Sequence, residues 1–102
     1  MLQKEEKDGQ IIFKIASQRV DWINAGDLRK QLGEYLKEEP EEVVVNLSET
    51  EYFDSSAIGL LLALKKQIKE YGGILILQKP PVSLKELLNI CNLSDFFEIK
   101  EN

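Results

Sequence analysis

Apolar residues recur along this chain with a spacing that predicts five strands. Segment 11–15, IIFKI, places Ile11, Phe13 and Ile15 on one face, as a strand with one partly exposed side does. The pair 19–20 follows as a possible second, short strand. Segments 43–47 and 74–77 are continuous apolar runs rich in branched residues, which predicts strands buried on both faces. The run 96–99 predicts a last short strand, the fifth in all.

Three other segments have helical spacing. Asn24 is placed to cap the first helix, and Asp27 adds a favourable carboxylate to its first turn. The second helix is predicted from about Ser55 to Tyr71, with Gly72-Gly73 as its stop. The apolar stripe of the first helix comprises Leu28, Leu32, Tyr35 and Leu36 and ends before Pro40.

The third helix follows Pro80-Pro81. Ser83 and Glu86 stand at the spacing of a capping box, and an apolar face that includes Cys91 follows them. Cys91 is therefore predicted to lie in the core.

The order of these elements predicts the fold class. Strand, helix and strand between residues 43 and 77 form a βαβ unit with parallel strands. The whole order predicts an α/β domain with a mixed, mostly parallel sheet and helices packed on it. A length of 102 residues suits a single domain over residues 1–102.

Charge and composition narrow the classes of function. The formal net charge is -5, from 13 basic and 18 acidic residues, which argues against direct binding of nucleic acid. The chain has one cysteine and no histidine, so disulfides, Cys/His zinc sites and Ser-His or Cys-His nucleophile pairs are excluded. The acidic run 38–42 is interrupted by Pro40 and is interpreted as a solvated turn, so no metal site is predicted.

The amino-terminal segment 1–10, MLQKEEKDGQ, is charged and lacks the apolar core of a secretion signal. No apolar run approaches the roughly 20 residues that span a bilayer. We therefore expect a cytoplasmic protein with no membrane partner.

The second helix carries more apolar surface than packing on a sheet requires. At 100° per residue its sheet-facing arc comprises Ala57, Leu60, Leu61, Leu64, Ile68 and Tyr71. Ile58 and Leu62 lie roughly 100° and 140° round from Ala57, on the flank of Ser55 and Gly59. They are interpreted as an apolar patch beside Ser55, although contact with a neighbouring helix would also explain them.

The stretch Asp54-Ser55-Ser56, which opens this helix, has two interpretations. Asp54 or Ser55 can cap the helix by accepting hydrogen bonds from free N–H groups. The same N–H groups and the positive end of the helix dipole favour an anion, so a phosphate on Ser55 could be accommodated, opposed by the charge of Asp54. Phosphorylation would then switch the binding of a partner on the apolar patch.

These residues resemble a known family. Segment 43–46, then Phe53-Asp54-Ser55-Ser56-Ala57-Ile58-Gly59 and the helix that ends at Gly72-Gly73, is similar to the STAS domain of bacterial anti-sigma factor antagonists. The resemblance extends from about residue 10 to residue 99. Its specific part is the Asp-Ser-Ser run.

The resemblance implies a partner-switching cycle. In the family, the unphosphorylated antagonist binds an anti-sigma factor and frees a sigma factor. The anti-sigma factor is often an ATP-dependent serine kinase that phosphorylates the antagonist, and a PP2C-type phosphatase restores it. Ser55 maps to the phosphoacceptor, and the nucleotide belongs to the kinase, so this chain needs no cofactor. The predicted partner-binding residues are Asp21, Asn24, Asp54, Ser56, Ile58, Gly59 and Leu62.

Departures from the family pattern leave other functions open. Ala57 and Gln18 stand where the family often has glycine, which implies a different fit of the partner. A STAS adaptor without phosphorylation, in a stressosome-like or transport complex, is the alternative. An enzyme is not predicted, because Ser55 has no suitable base and the chain has no glycine-rich phosphate loop.

Overall fold

Seven strands and three helices make up the fold. The computed structural model describes all residues from Met1 to Asn102. The strands are β1 (Leu2–Lys7), β2 (Gln10–Ile15), β3 (Arg19–Val20), β4 (Glu42–Asn46), β5 (Tyr52–Phe53), β6 (Ile74–Gln78) and β7 (Glu98–Lys100). The helices are α1 (Ala25–Tyr35), extended by a single 3₁₀ turn at Leu36–Glu38, α2 (Ser55–Glu70) and α3 (Val82–Ile90).

Five of the strands form one sheet in the order β1-β2-β4-β6-β7. Only β1 and β2 are antiparallel, and the other three pairs are parallel. The βαβ unit formed by β4, α2 and β6 is confirmed, as is the α/β class with a mixed, mostly parallel sheet.

The core lies on one face of this sheet. Ile11 pairs with Val43, and Val43 with Leu75, so buried residues of three strands align in one row. These residues join side chains from all three helices in one continuous cluster of 23 buried residues. A single core therefore holds the sheet and the helices together.

The other face of the sheet carries no helix from this core. Val44 is buried but is not part of the cluster, because it lies between Ile12 and Ile76 in the row on the opposite face. The prediction of two buried faces is confirmed for β4. It is wrong for β6, where Ile74 is exposed and Ile76 only half-buried, because no element covers this face near the edge of the sheet.

Strand β1 was not predicted. It pairs with β2 through the tight turn Asp8-Gly9, in which both residues have positive φ, 40° and 83°. Asp-Gly is the preferred sequence for such a hairpin turn and was the available signal. The strand lies at the exposed edge of the sheet and is rich in Lys and Glu. Its sequence therefore lacks the alternation of apolar and polar residues that predicts a strand.

The short parallel pair of β3 and β5 is the feature that organises the functional region. Arg19 lies opposite Tyr52, and Val20 lies opposite Phe53. Strand β5 was predicted as loop, since two residues carry no periodicity. Because the strands are parallel, their carboxyl ends meet, and Asp21 and Asp54 follow directly on from them.

Helix α3 differs from its prediction at both ends. Pro81 occupies the N-cap, and Ser83 donates its hydroxyl to the Glu51 carbonyl at 2.8 Å instead of closing a capping box. Cys91 follows the last turn and is exposed, so its assignment to the core is wrong. The helix is shorter than the apolar pattern suggested, which places Cys91 beyond the buried stripe of Leu84 and Leu88.

Candidate functional site

Asp54 caps helix α2. Its backbone is extended, and its Oδ1 accepts a hydrogen bond from the Ser56 N–H at 2.8 Å. The Asp54 carbonyl accepts from the Ala57 N–H at 3.0 Å. The predicted cap is confirmed, with Asp54 and not Ser55 as the capping residue.

Ser55 is the first residue of α2, and its side chain is exposed. Its hydroxyl makes no hydrogen bond within the chain and is therefore free to react. The positive end of the helix dipole favours negative charge at this position. Ser56, the next residue, is half-buried.

The second carboxylate oxygen of Asp54 reaches another element. Oδ2 accepts a hydrogen bond from the backbone N–H of Trp22 at 3.0 Å. The Asp54 N–H in turn donates to the Val20 carbonyl at 3.3 Å. The start of α2 is thus tied to the loop between β3 and α1.

Asp21 is buried within that loop, with 4% of its surface exposed. Its Oδ2 accepts from Arg19 Nε at 3.1 Å, and its Oδ1 accepts from the Ile23 N–H at 3.0 Å. Burial by itself raises the pKa of the Asp21 carboxyl, but the hydrogen bonds and the charge of Arg19 outweigh it, so the pKa lies below its ordinary value.

Asn24 completes the same loop. It stands at the N-cap of α1 but makes no capping hydrogen bond; its Oδ1 accepts from the Asp21 N–H at 3.0 Å and its Nδ2 donates to the Arg19 carbonyl at 2.8 Å. The predicted side-chain cap is therefore wrong, because the oxygen and the nitrogen of the Asn24 amide both form hydrogen bonds with the loop instead. The carboxylate of Asp21 likewise accepts hydrogen bonds from within the loop, so both residues shape the loop. That they bind a partner stays a prediction.

What the loop presents are two large apolar side chains. Trp22 is 76% exposed and Ile23 is 70% exposed. We call this pair the Trp22–Ile23 tip. Sequence reasoning missed it, although two large apolar residues between a strand and a helix, outside any apolar stripe, were the available signal.

On helix α2 the exposed face beside Ser55 is narrower than predicted. Gly59 and Leu62 lie on it, Leu62 with 36% of its surface exposed. Ile58, predicted to belong to the same patch, is only 6% exposed and is part of the core.

The burial of Ile58 has a physical cause. Its flank of α2 also carries Lys65, whose Nζ lies 4.7 Å from the ring centre of Phe96 and 5.7 Å from that of Phe97. The segment after α3 therefore packs against this flank at Lys65, about two turns beyond Ile58, while α1 contacts the same helix. A helix enclosed in this way buries a wider arc than one that touches only a sheet.

Arg19 and Tyr52 lie beside the loop. The Arg19 guanidinium stands 4.4 Å from the centre of the Tyr52 ring, and Tyr52 is exposed. Trp, Tyr and Arg are the residue types enriched at the centres of protein interfaces. Together with Trp22 they give this region the residue types typical of protein interfaces.

The structure brings together no cluster of three or more Cys, Asp or Glu side chains that could hold a metal ion. None of its helices has the length and apolar character needed to cross a membrane.

The family of this chain follows from a comparison with known protein families. The sequence model described as the STAS domain matches residues 1–102. The chain belongs to the STAS domain family.

Solved structures agree with the STAS fold. A proposed anti-sigma factor antagonist from Thermotoga maritima superimposes with a TM-score of 0.88 at 21% identity, over 99% of this chain and 86% of that one. An anti-sigma factor antagonist from Mycobacterium paratuberculosis gives 0.87 at 18% identity, over 100% and 86%. The phosphorylated form of the Bacillus cell fate determinant SpoIIAA gives 0.74 at 16% identity, over 97% and 90%.

The two departures from the STAS pattern cost this chain no backbone strain. Neither Gln18 nor Ala57 has a positive φ, so neither position requires glycine. Ala57 lies in the first turn of α2 and is buried in the core. Its methyl group therefore adds to packing and leaves the exposed face of α2 unchanged.

Proposed function

We propose that this STAS chain is an anti-sigma factor antagonist whose binding is switched by phosphorylation of Ser55. The observation that carries the proposal is the free, exposed hydroxyl of Ser55 at the start of α2, within an exposed surface that includes Leu62, Gly59 and the Trp22–Ile23 tip. Family membership and the structural likeness to an antagonist and to the phosphorylated form of SpoIIAA support it.

In the unphosphorylated state this surface is suited to bind an anti-sigma factor. Burying exposed Trp, Ile and Leu side chains against a partner removes apolar area from water, which favours association. The anti-sigma factor held in this way releases its sigma factor. The chain thus acts as a binding module in the cytoplasm and not as an enzyme.

The switch is a phosphoryl transfer to Ser55. The anti-sigma factor, acting as a serine kinase, supplies ATP and Mg²⁺; the Ser55 Oγ forms a bond to the γ-phosphorus while the bond to the β-phosphate oxygen breaks. ADP leaves, and the hydroxyl proton passes to a base of the kinase. A PP2C-type phosphatase reverses the state by directing water onto the phosphorus, which breaks the Oγ–P bond and releases inorganic phosphate.

The phosphate reverses binding by charge and hydration. It adds roughly -1.5 to -2 charge at neutral pH in the middle of a surface that must lose water on docking. The fold itself tolerates this charge because it lies at the positive end of α2. The phosphorylated chain therefore stays folded and leaves its partner.

The test is phosphorylation by a purified anti-sigma factor kinase of the source organism with ATP and Mg²⁺, read by mass spectrometry. We expect one phosphate on the wild type and none on Ser55→Ala. Ser56→Ala is the matched control and should be phosphorylated like the wild type, because the Ser56 side chain makes no hydrogen bond and only its N–H takes part in the cap. Normal phosphorylation of Ser55→Ala would reject the assignment.

Binding separates the switch from its alternative, a STAS adaptor that is not phosphorylated. Ser55→Asp places a permanent charge at the switch position. Loss of the complex with the anti-sigma factor supports the antagonist, whereas a complex that survives this change unaltered supports the adaptor.

A further inference from the structure

The Asp54 carboxylate connects the phosphorylation position to the Trp22–Ile23 tip. We propose, resting on the function proposed above, that a phosphate on Ser55 acts through Asp54: it displaces the carboxylate from the Trp22 N–H and so frees Trp22 within the tip. We call the two hydrogen bonds from the N–H groups of Trp22 and Ser56 to Asp54 the Asp54 latch.

In the Asp54 latch each carboxylate oxygen accepts one hydrogen bond. Oδ1 accepts from Ser56 on α2 at 2.8 Å, and Oδ2 accepts from Trp22 on the loop at 3.0 Å. A shift of the carboxylate that breaks one of these hydrogen bonds disturbs the other, since both oxygens belong to one rigid group. The two parts of the surface are thus coupled by a single side chain.

A phosphate on Ser55 competes with the latch in two ways. Its oxygens are strong acceptors placed next to the Ser56 N–H, which now donates to Asp54. Its charge repels the adjacent carboxylate, and Asp54 takes part in no ion pair that would offset this repulsion. Both effects move the carboxylate off the Ser56 N–H, and Oδ2, which belongs to the same rigid group, then moves off the Trp22 N–H.

The rest of the loop does not depend on Asp54. The Ile23 N–H donates to the buried Asp21, and Asn24 binds the Asp21 N–H and the Arg19 carbonyl. Loss of the latch therefore loosens Trp22 selectively and leaves its neighbour in place. This difference between two adjacent amides distinguishes the latch from a general loosening of the loop.

The experiment measures amide hydrogen exchange by NMR on the full chain with phosphoserine incorporated at position 55 during synthesis, so that no kinase is needed. We expect the Trp22 N–H to exchange about tenfold faster than in the unmodified protein, the effect of losing a hydrogen bond to a charged acceptor. The Ile23 N–H should change by less than about twofold. Asp54→Ala, which removes the acceptor, should give the same pattern without phosphate.

Phosphoserine at position 94, on the loop between α3 and β7, is the matched control and should leave both amides unchanged. Equal acceleration of Trp22 and Ile23, or an unchanged Trp22 N–H in the protein phosphorylated at position 55, would overturn the latch. Because no partner is present, that result leaves the antagonist function standing with direct repulsion as its switch. If the kinase does not phosphorylate Ser55, the proposed function is rejected. The exchange rates measured on the synthetic phosphoprotein do not depend on that result.

Discussion

Two aspartates that follow neighbouring strand ends, Asp21 and Asp54, have different environments and different uses. Asp21 is buried, and its two carboxylate oxygens accept hydrogen bonds from the Arg19 side chain and the Ile23 N–H. Asp54 is half-buried and joins two elements without any cation beside it. The first stabilises the shape of the loop, and the second is placed to respond to charge on Ser55.

The environment of Asp21 predicts a pH dependence of stability. Its folded-state pKa is below the ordinary value, so its contribution is complete above the unfolded-state pKa of about 4 and is lost as pH falls through the lower folded pKa. We expect Asp21→Asn to be less stable than the wild type at pH 7. The difference in free energy of unfolding should shrink as the pH falls below about 4.

Urea unfolding followed by circular dichroism at several pH values checks this prediction. Asp95→Asn is a suitable control, since Asp95 is exposed in the loop between α3 and β7 and has no ion pair. A wild-type to Asp21→Asn difference that stays constant from pH 7 to pH 3 would contradict it.

At the level of elements, two glycines follow helix α2, and each is required for a different physical reason. Gly72 has a φ of +85°, and its N–H donates to the Lys69 carbonyl at 3.0 Å. Gly73 has no unusual φ, but a Cβ there would lie 2.6 Å from the Tyr71 ring and 3.2 Å from the Pro40 carbonyl. The predicted helix stop is confirmed, and close packing is an additional constraint on its second residue.

Alanine substitutions should separate these two constraints. Gly72→Ala should lower the free energy of unfolding by about 1 kcal/mol through left-handed backbone strain. Gly73→Ala should lower it by about 2 to 3 kcal/mol, because the new methyl group displaces the Tyr71 ring and its hydrogen bond to Pro40. Thermal and urea unfolding measure both.

Gly26→Ala is the control for that pair. Gly26 lies inside α1 with ordinary φ and open space around its Cα, so alanine should stabilise the helix by about 0.5 to 1 kcal/mol. A cost at Gly73 no larger than that at Gly72 would show that the Tyr71 ring moves aside freely.

Elements with a buried face were predictable and those without one were not. Strands β2 and β4 and helices α1 and α2 follow from their apolar patterns because one side of each faces the core. Strand β1 contributes only one partly buried residue to the core, and β5 has two residues. These two strands are stabilised by hydrogen bonds to a neighbouring strand and not by burial of a periodic apolar face. A local sequence pattern does not show which segments will pair.

For the whole molecule, one core cluster joins the sheet to all three helices. No helix has a separate core that could persist alone. We therefore expect a single cooperative unfolding transition in urea, with a slope of roughly 1 to 1.5 kcal/mol per molar.

Circular dichroism of the backbone and the NMR intensities of core methyl groups should give the same midpoint. Trp22 fluorescence is a poor probe of this transition, because the indole is already exposed in the folded state. Midpoints that differ between helix and sheet signals would show that α3 or the β1–β2 hairpin unfolds separately.

The sequence by itself determined the α/β class, the βαβ unit and the place of Ser55 at the start of α2. These depend on local spacing and on residue types that act over one or two turns, such as the Asp54 cap. Only the tertiary structure decided that Ile58 is buried, that the side chains of Asp21 and Asn24 form hydrogen bonds within their loop, and that Trp22 and Ile23 are exposed. Exposure depends on which segments cover a side chain, and those segments are distant in sequence: Ile58 shares its core cluster with Phe97, and the pairing of β3 with β5 brings Asp54 to Trp22.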